Sequence, residues 1–145
     1  MSIRSLILTD PRKRLALEQA IEQLFEDEIQ GKTGAEGKII IAIHTKAKKL
    51  VPHILPQSIT LTLPQLLTDL EPEYVLARIH KISLVHHVLQ PDRRFIVVRI
   101  IRQAFDTVVA KHVILRPLYQ VLKSRIEYHI GLALPRLALL LQTFL

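Results

Sequence analysis

Apolar residues return every three or four positions along most of this chain, the spacing that gathers them on one side of an α-helix. Leu17, Ala20, Ile21, Leu24 and Phe25 form the clearest stripe, with Glu18, Glu22 and Glu26 along another face. Asp10 is a good capping residue, Pro11 suits a first turn, and Gly31 is a terminator. A helix is therefore expected from Asp10 to about Gly31. After a hinge at residues 32–34, Thr33 and Glu36 have capping-box spacing. They predict a second helix whose stripe is Ile39, Ile40, Ile43, Ala47 and Leu50, ending before Pro52.

Beyond that point the pattern is contested. Ser58-Ile59-Thr60-Leu61-Thr62-Leu63 alternates with period two, as a half-buried strand does, and residues 94–101 are rich in β-branched side chains. Hairpin chemistry is missing, however: there is no Asn, and three of the four glycines fall within residues 31–37. Proline supplies the punctuation, which favours helices. Leu63, Leu66, Leu67 and Leu70 predict a short helix. Pro72 opens another, central and buried, through Val75, Leu76, Ile79, Ile82 and Leu89. Pro91 opens a third, with Phe95, Val98, Ile101, Phe105 and Val108 inward. Pro117 opens the last, along Tyr119, Leu122, Ile126, Ile130 and Ala133, with Gly131 and Pro135 bending or breaking it. The repeat of Leu55-Pro56-Gln57 as Leu63-Pro64-Gln65 is too short for a solenoid unit. The expected fold is all-α: one single-domain bundle, 1–145, of about five to seven helices, several of them proline-initiated.

Composition narrows the function classes more than it names one. The 145 residues are 49% hydrophobic, enough for a true core, and none is cysteine, which removes disulfides and thiolate chemistry. Neither a secretory signal nor a membrane span is apparent, so a cytoplasmic location is expected. The net charge of +7 is uneven: residues 1–36 hold five Lys/Arg against seven Asp/Glu, and residues 37–145 hold fifteen against six. A basic body of this kind attracts nucleic acid, anionic membrane or an acidic protein, or simply keeps a greasy protein soluble.

One stretch has a familiar pattern. Lys48-Lys49-Leu50-Val51-Pro52-His53-Ile54-Leu55-Pro56 leads into Leu63-Pro64-Gln65-Leu66-Leu67-Thr68-Asp69-Leu70-Glu71-Pro72, and Ala133-Leu134-Pro135-Arg136-Leu137-Ala138 lies near the end. These segments resemble a family of small all-helical bacterial proteins of unknown function, commonest in actinobacteria. The resemblance covers about a third of the chain and leaves residues 73–125 outside it. It implies an all-α fold and carries over no catalytic or binding residue.

The candidate chemistry is thin. His80 and His87 lie close to one helical face, but neither has a carboxylate or second His three or four residues away, so no metal site is assigned. Glu127 and His129 point different ways. None of the five serines lies in a nucleophile-elbow context, and Gly31-Lys32-Thr33 lacks the upstream glycine of a phosphate loop. Glu22, Glu26, Asp27 and Glu28 read as a solvated acidic face. The chain leans away from an enzyme, with no cofactor implied.

What remains are surfaces. Lys38, Lys46, Lys49, Arg93, Arg94 and Arg99 are the candidate anion contacts for nucleic acid or an anionic membrane; Arg102 is expected to pair with Asp106. In the apolar tail, Leu137, Leu141 and Phe144 suffice for a core stripe. Leu139, Leu140 and Leu145 then need a second surface, either a partner or the domain's own interior. The sequence assigns no activity. Its leading expectation is a non-enzymatic helical interaction protein, self-associating or binding another protein; a basic-surface binder comes second and a small enzyme third.

Overall fold

The computed structural model describes residues 2–145. Among them are eight α-helices and no strand: α1 (Ile3–Leu8), α2 (Pro11–Gln30), α3 (Gly34–Leu50), α4 (Ile54–Ile79), α5 (Leu84–Val88), α6 (Pro91–Lys111), α7 (Arg116–Leu122) and α8 (Ile126–Phe144). A 3₁₀ turn at Val113–Leu115 leads into α7. The all-helical expectation holds, with a slightly higher count.

Local chemistry explains most of the starts. Asp10 accepts the backbone N–H groups of Arg12 and Lys13 at 3.0 and 3.3 Å, satisfying two of the free donors of α2. Ser83 caps α5 through the His86 N–H, and Ser2 caps α1 through that of Ser5. α1 carries no sequence signal comparable to that of α2. Ile3 and Ile7 bury it, and the Ile3 N–H donates to Glu71 on α4 at 2.7 Å. The capping box at Thr33 and Glu36 does not form. Thr33 makes no side-chain cap, Gly34 turns the chain at φ +75°, and Glu36 binds Arg125 instead.

α4 departs most from expectation. Instead of two helices divided at Pro72, one helix of 26 residues runs through both Pro64 and Pro72. A proline in a helix removes a donor and frees the carbonyl four residues back. For Pro64 that carbonyl belongs to Thr60, and the Arg14 guanidinium of α2 donates to it at 3.3 Å. Ser58, Thr62 and Thr68 turn their hydroxyls onto the carbonyls of Ile54, Ser58 and Pro64. The alternation at 58–63 is thus helical: Ile59, Leu63, Leu67 and Leu70 are buried at helical spacing, while Leu61, which a strand would place beside Ile59 and Leu63, is exposed.

α4 also stops earlier than predicted. The N–H of Ile82 bonds to the Ala77 carbonyl and that of Lys81 to Arg78, a Schellman ending with Lys81 at φ 56° where glycine is usual. Val75 and Ile79, expected inward, lie on the outer face of α4, where Glu73 and Ala77 are the buried positions, and Leu89 after α5 is exposed as well. The last two helices are also redrawn. The helix begun near Pro117 ends at Leu122, and α8 then runs unbroken through Gly131 and Pro135. Gly131 is buried with the Arg94 guanidinium over it; a Cβ there would stand 2.7 Å from Arg94 Nη2. Residues 94–101 lie within α6, where Val97, Val98 and Ile101 are buried and Phe95 is 55% exposed. In α3 only Gly37 and Ile40 are buried, leaving Ile39 and Leu50 exposed.

One hydrophobic cluster draws on α1, α2, α4, α5, α6 and α8, with α4 and α8 contributing most of its leucines. α3 and α7 lie against this framework from outside: α7 has no fully buried residue. That difference positions the site.

Candidate functional site

Between α2, α3, α4, α6 and α7 the interior is hollow. A cavity of about 220 Å³ lies there, bounded by Ile21 and Phe25 on α2, Ile43 and Ala47 on α3, and Leu55 and Ile59 on α4. Its cause is the side chains that converge on it. Ala47, Ser58, Thr62 and Ala104, from three different helices, all face the space, and α7 contributes only Leu118, Tyr119 and Leu122 toward filling it. Small side chains standing among larger ones leave a gap when backbones cannot approach further.

The walls are almost entirely hydrocarbon, and the polar side chains among them are bonded within the protein. His44 Nε2 donates to Glu26 Oε1 at 2.9 Å. Thr62 and Ser58 donate to backbone carbonyls of their own helix. The Tyr119 hydroxyl donates to Asp106. Burial, then the Asp106 hydrogen bond, push the Tyr119 phenol above its ordinary value of 10.0, so it stays protonated. Burial alone would raise the Glu26 carboxyl. The hydrogen bonds and charges of His44 and Lys48 outweigh it and hold that group below its ordinary 4.5.

A second cavity of about 120 Å³ lies toward α8, lined by Leu24, Ile40, Ile126 and Ile130. Phe25 and Phe105 border both spaces, their ring centroids 5.9 Å apart and planes tilted by 53°. Outside them, Glu36 of α3 accepts hydrogen bonds from Arg125 at 2.8 and 3.4 Å and has His129 at 3.3 Å. Arg125 first, and His129 second, hold the Glu36 carboxyl below its ordinary range.

The acidic face of α2 is largely paired rather than simply solvated: Glu26 binds His44 and Lys48, and Glu28 binds Arg136 at 3.0 Å. His87, to which the sequence assigns no metal role, is 2% exposed and bonded at 2.9 Å to Glu73, itself 3% exposed. Arg93 reaches the same carboxylate oxygen at 3.5 Å. Fourteen residues separate Glu73 from His87, so helical spacing could not pair them; the turn at Lys81 folds α5 back onto α4. This buried group ties α4, α5 and α6 together. His80 is exposed and far from it in role.

The six candidate anion contacts divide in two. Lys38, Lys46 and Lys49 are exposed on α3. Arg93 is engaged with Glu73, Arg94 packs over Gly131, and Arg99 lies 4.2 Å above the Phe95 ring. Arg102 bonds to Glu127 at 3.2 Å, not to Asp106, which Tyr119 occupies. Of the tail leucines, Leu140 and Leu145 pack partly against the protein's own core, while Leu139 is 58% exposed.

The sequence reading missed the cavity because its walls look like ordinary core. Along the sequence Phe105 and Val108 belong to a helical stripe, and Ser58 and Thr62 to an alternation. The available signal was four small residues on faces otherwise occupied by Leu, Ile and Phe.

No curated protein and no solved structure matches the chain. A family model does, over residues 5–145, taking in the 73–125 segment that the sequence resemblance left out. With that match across nearly its whole length, and an all-helical fold, the chain belongs to a family of unknown function (DUF6918).

Proposed function

We propose that this protein is a non-enzymatic, single-domain helical binding module that takes a small uncharged apolar ligand into the space between α2, α3, α4, α6 and α7. One observation carries the reading: a cavity of about 220 Å³ whose polar side chains already have partners within the protein. A space of that size with hydrocarbon walls, open to solvent on one side, has room for a small apolar molecule. Catalysis finds no support in it, since its His and Tyr are committed to carboxylates and no activated nucleophile faces it. The test is titration with the uncharged fluorophore N-phenyl-1-naphthylamine. Saturation at one molecule per chain, abolished by Ala104→Phe in a folded protein, is expected; no saturable signal refutes the reading.

Docking to a second copy of the chain is the other reading, favoured by exposed apolar residues on α8 and around α7: Leu139, Val113, Ile114 and Val121. Leu140 and Leu145 contribute less to such an interface because they already pack inward. Light scattering of the intact protein and of Leu139→Glu tests it, with a dimer that the substitution dissociates as the expected result. Anion binding is weakened as a reading by the engagement of Arg93, Arg94 and Arg99, leaving Lys38, Lys46 and Lys49 as its main support.

A further inference from the structure

We infer that the two apolar cavities are halves of one elongated site for a single extended hydrocarbon chain, with the Phe25–Phe105 pair as the partition that turns aside to admit it. This rests on the ligand-binding reading above and specifies the ligand. The two spaces share six wall residues, Phe25, Ile29, Ile101, Phe105, Leu122 and Leu137, so only side chains separate them. The second cavity, about 120 Å³, is smaller than one known to hold a benzene ring, so on its own it is a poor ligand site. As the continuation of the first it accepts the far end of a chain. The wall area it exposes is hydrocarbon; Glu28, Lys32 and His129 stand at its border, the Glu28 carboxylate turned to Arg136 and His129 Nε2 lying 3.3 Å from Glu36 Oε1.

The partition is made of the parts most easily moved. Phe105 is half-buried, and a tilted aromatic pair adds little attraction beyond the area it buries. A passage opened by turning one phenyl ring is narrow and suits an extended chain. The polar end of the chain is also constrained. The hydroxyl hydrogens of Ser58, Thr62 and Tyr119 and the Nε2 hydrogen of His44 are committed to acceptors inside the protein, so a buried carboxylate would find no donor among them. The occupant is an uncharged chain, such as an aliphatic alcohol, with its polar end toward the half-exposed Ala47 and Ser58 side of the larger cavity.

Calorimetric titration of the full chain with hexan-1-ol, octan-1-ol, decan-1-ol and decanoate at pH 7 tests this. Each added methylene should tighten binding by about threefold to fourfold through decan-1-ol. Decanoate should bind at least tenfold more weakly than decan-1-ol. Phe105→Leu, which thins the partition while keeping an apolar wall, should raise the ratio of decan-1-ol to hexan-1-ol affinity threefold or more. Circular dichroism and melting confirm that the variant is folded, and the wild-type length series stands without it. Affinity that stops rising after hexan-1-ol, or decanoate binding as well as decan-1-ol, overturns the single uncharged-chain site while leaving the larger cavity as a ligand space. Failure of all the alcohols to bind overturns both.

Discussion

The two ends of this molecule are made of similar residues and are packed differently. At one end, α1, α5 and the C-terminal parts of α4 and α8 close around Ile3, Leu67, Leu70, Val88 and Leu134, and the gap those side chains border is about 20 Å³. At the other, α3 and α7 cover α2, α4 and α6 and leave spaces of about 220 and 120 Å³. Leucine and isoleucine dominate both. What separates them is how the covering helices are held. α1, though only six residues long, buries Ile3 and Ile7 fully and donates a backbone hydrogen bond to Glu71. α3, at 17 residues, buries only Gly37 and Ile40, and polar contacts join it to its neighbours: His44 and Lys48 to Glu26, and Glu36 to Arg125. A helix fastened by surface ion pairs costs little to displace, because such pairs contribute roughly 0–1 kcal/mol each. The hollow end is therefore expected to be the easier of the two to open.

The largest effect is expected from truncating matched leucines at the two ends. Leu67→Ala removes a fully buried side chain from the close-packed end and should cost about 2–5 kcal/mol in urea unfolding. Leu118→Ala removes a half-buried side chain that already borders open space and should cost about 1 kcal/mol. Equal losses would mean that the ends are equally well packed.

Enlarging matched alanines should reverse the sign. Ala138→Leu forces three carbons into the tight end and should destabilise by about 1–3 kcal/mol. Ala104→Leu places them in existing space and should stabilise by about 1 kcal/mol. A loss at both positions, in the same unfolding assay, would show that the cavity walls cannot accommodate added volume.

A smaller gain is expected at the turn that closes the tight end. Lys81 occupies the left-handed region at φ 56°, which disfavours side chains bearing a Cβ, so Lys81→Gly should raise stability by about 1 kcal/mol, read as a higher melting temperature. No gain, or a loss, would mean that the Lys81 side chain contributes more than its backbone conformation costs.

The smallest effect is a pH dependence confined to the hollow end. The Glu26 and Glu36 carboxyls are held below their ordinary value of 4.5 in the folded protein. Their contribution is therefore present above that value and is lost as pH falls through the lower folded values. Amide exchange in α3 should accelerate over that acid range while the central amides of α4 stay protected. Glu26→Gln should reduce the effect. Simultaneous loosening of α3 and α4 would argue against polar fastening of α3.

How much of this was legible depends on whether the signal was local. Asp10-Pro11 states the start of α2 because the capping acceptor and the donors it serves are neighbours in the chain. Pro72 looked like a boundary for the same reason, yet α4 continues through it and through Pro64, where Arg14, fifty residues earlier, takes the Thr60 carbonyl. The end of α4 was invisible because a lysine, not a glycine, adopts the left-handed turn. The Glu73–His87 contact depends on that turn and so was hidden with it. Similarly, Arg102 had a local partner available in Asp106, but Tyr119 takes the carboxylate and Glu127 of α8 receives Arg102.

By itself the sequence determined helix against strand, the limits of α2 and α3, the absence of cysteine chemistry and the basic balance of charge, all properties of neighbouring residues or of totals. Tertiary structure decided which prolines a helix tolerates, which carboxylate meets which cation, and where small side chains from separate helices coincide to leave a space. A cavity belongs to no single segment: it is what remains after backbones have come as close as their other contacts allow, and no periodicity along one helix records that distance.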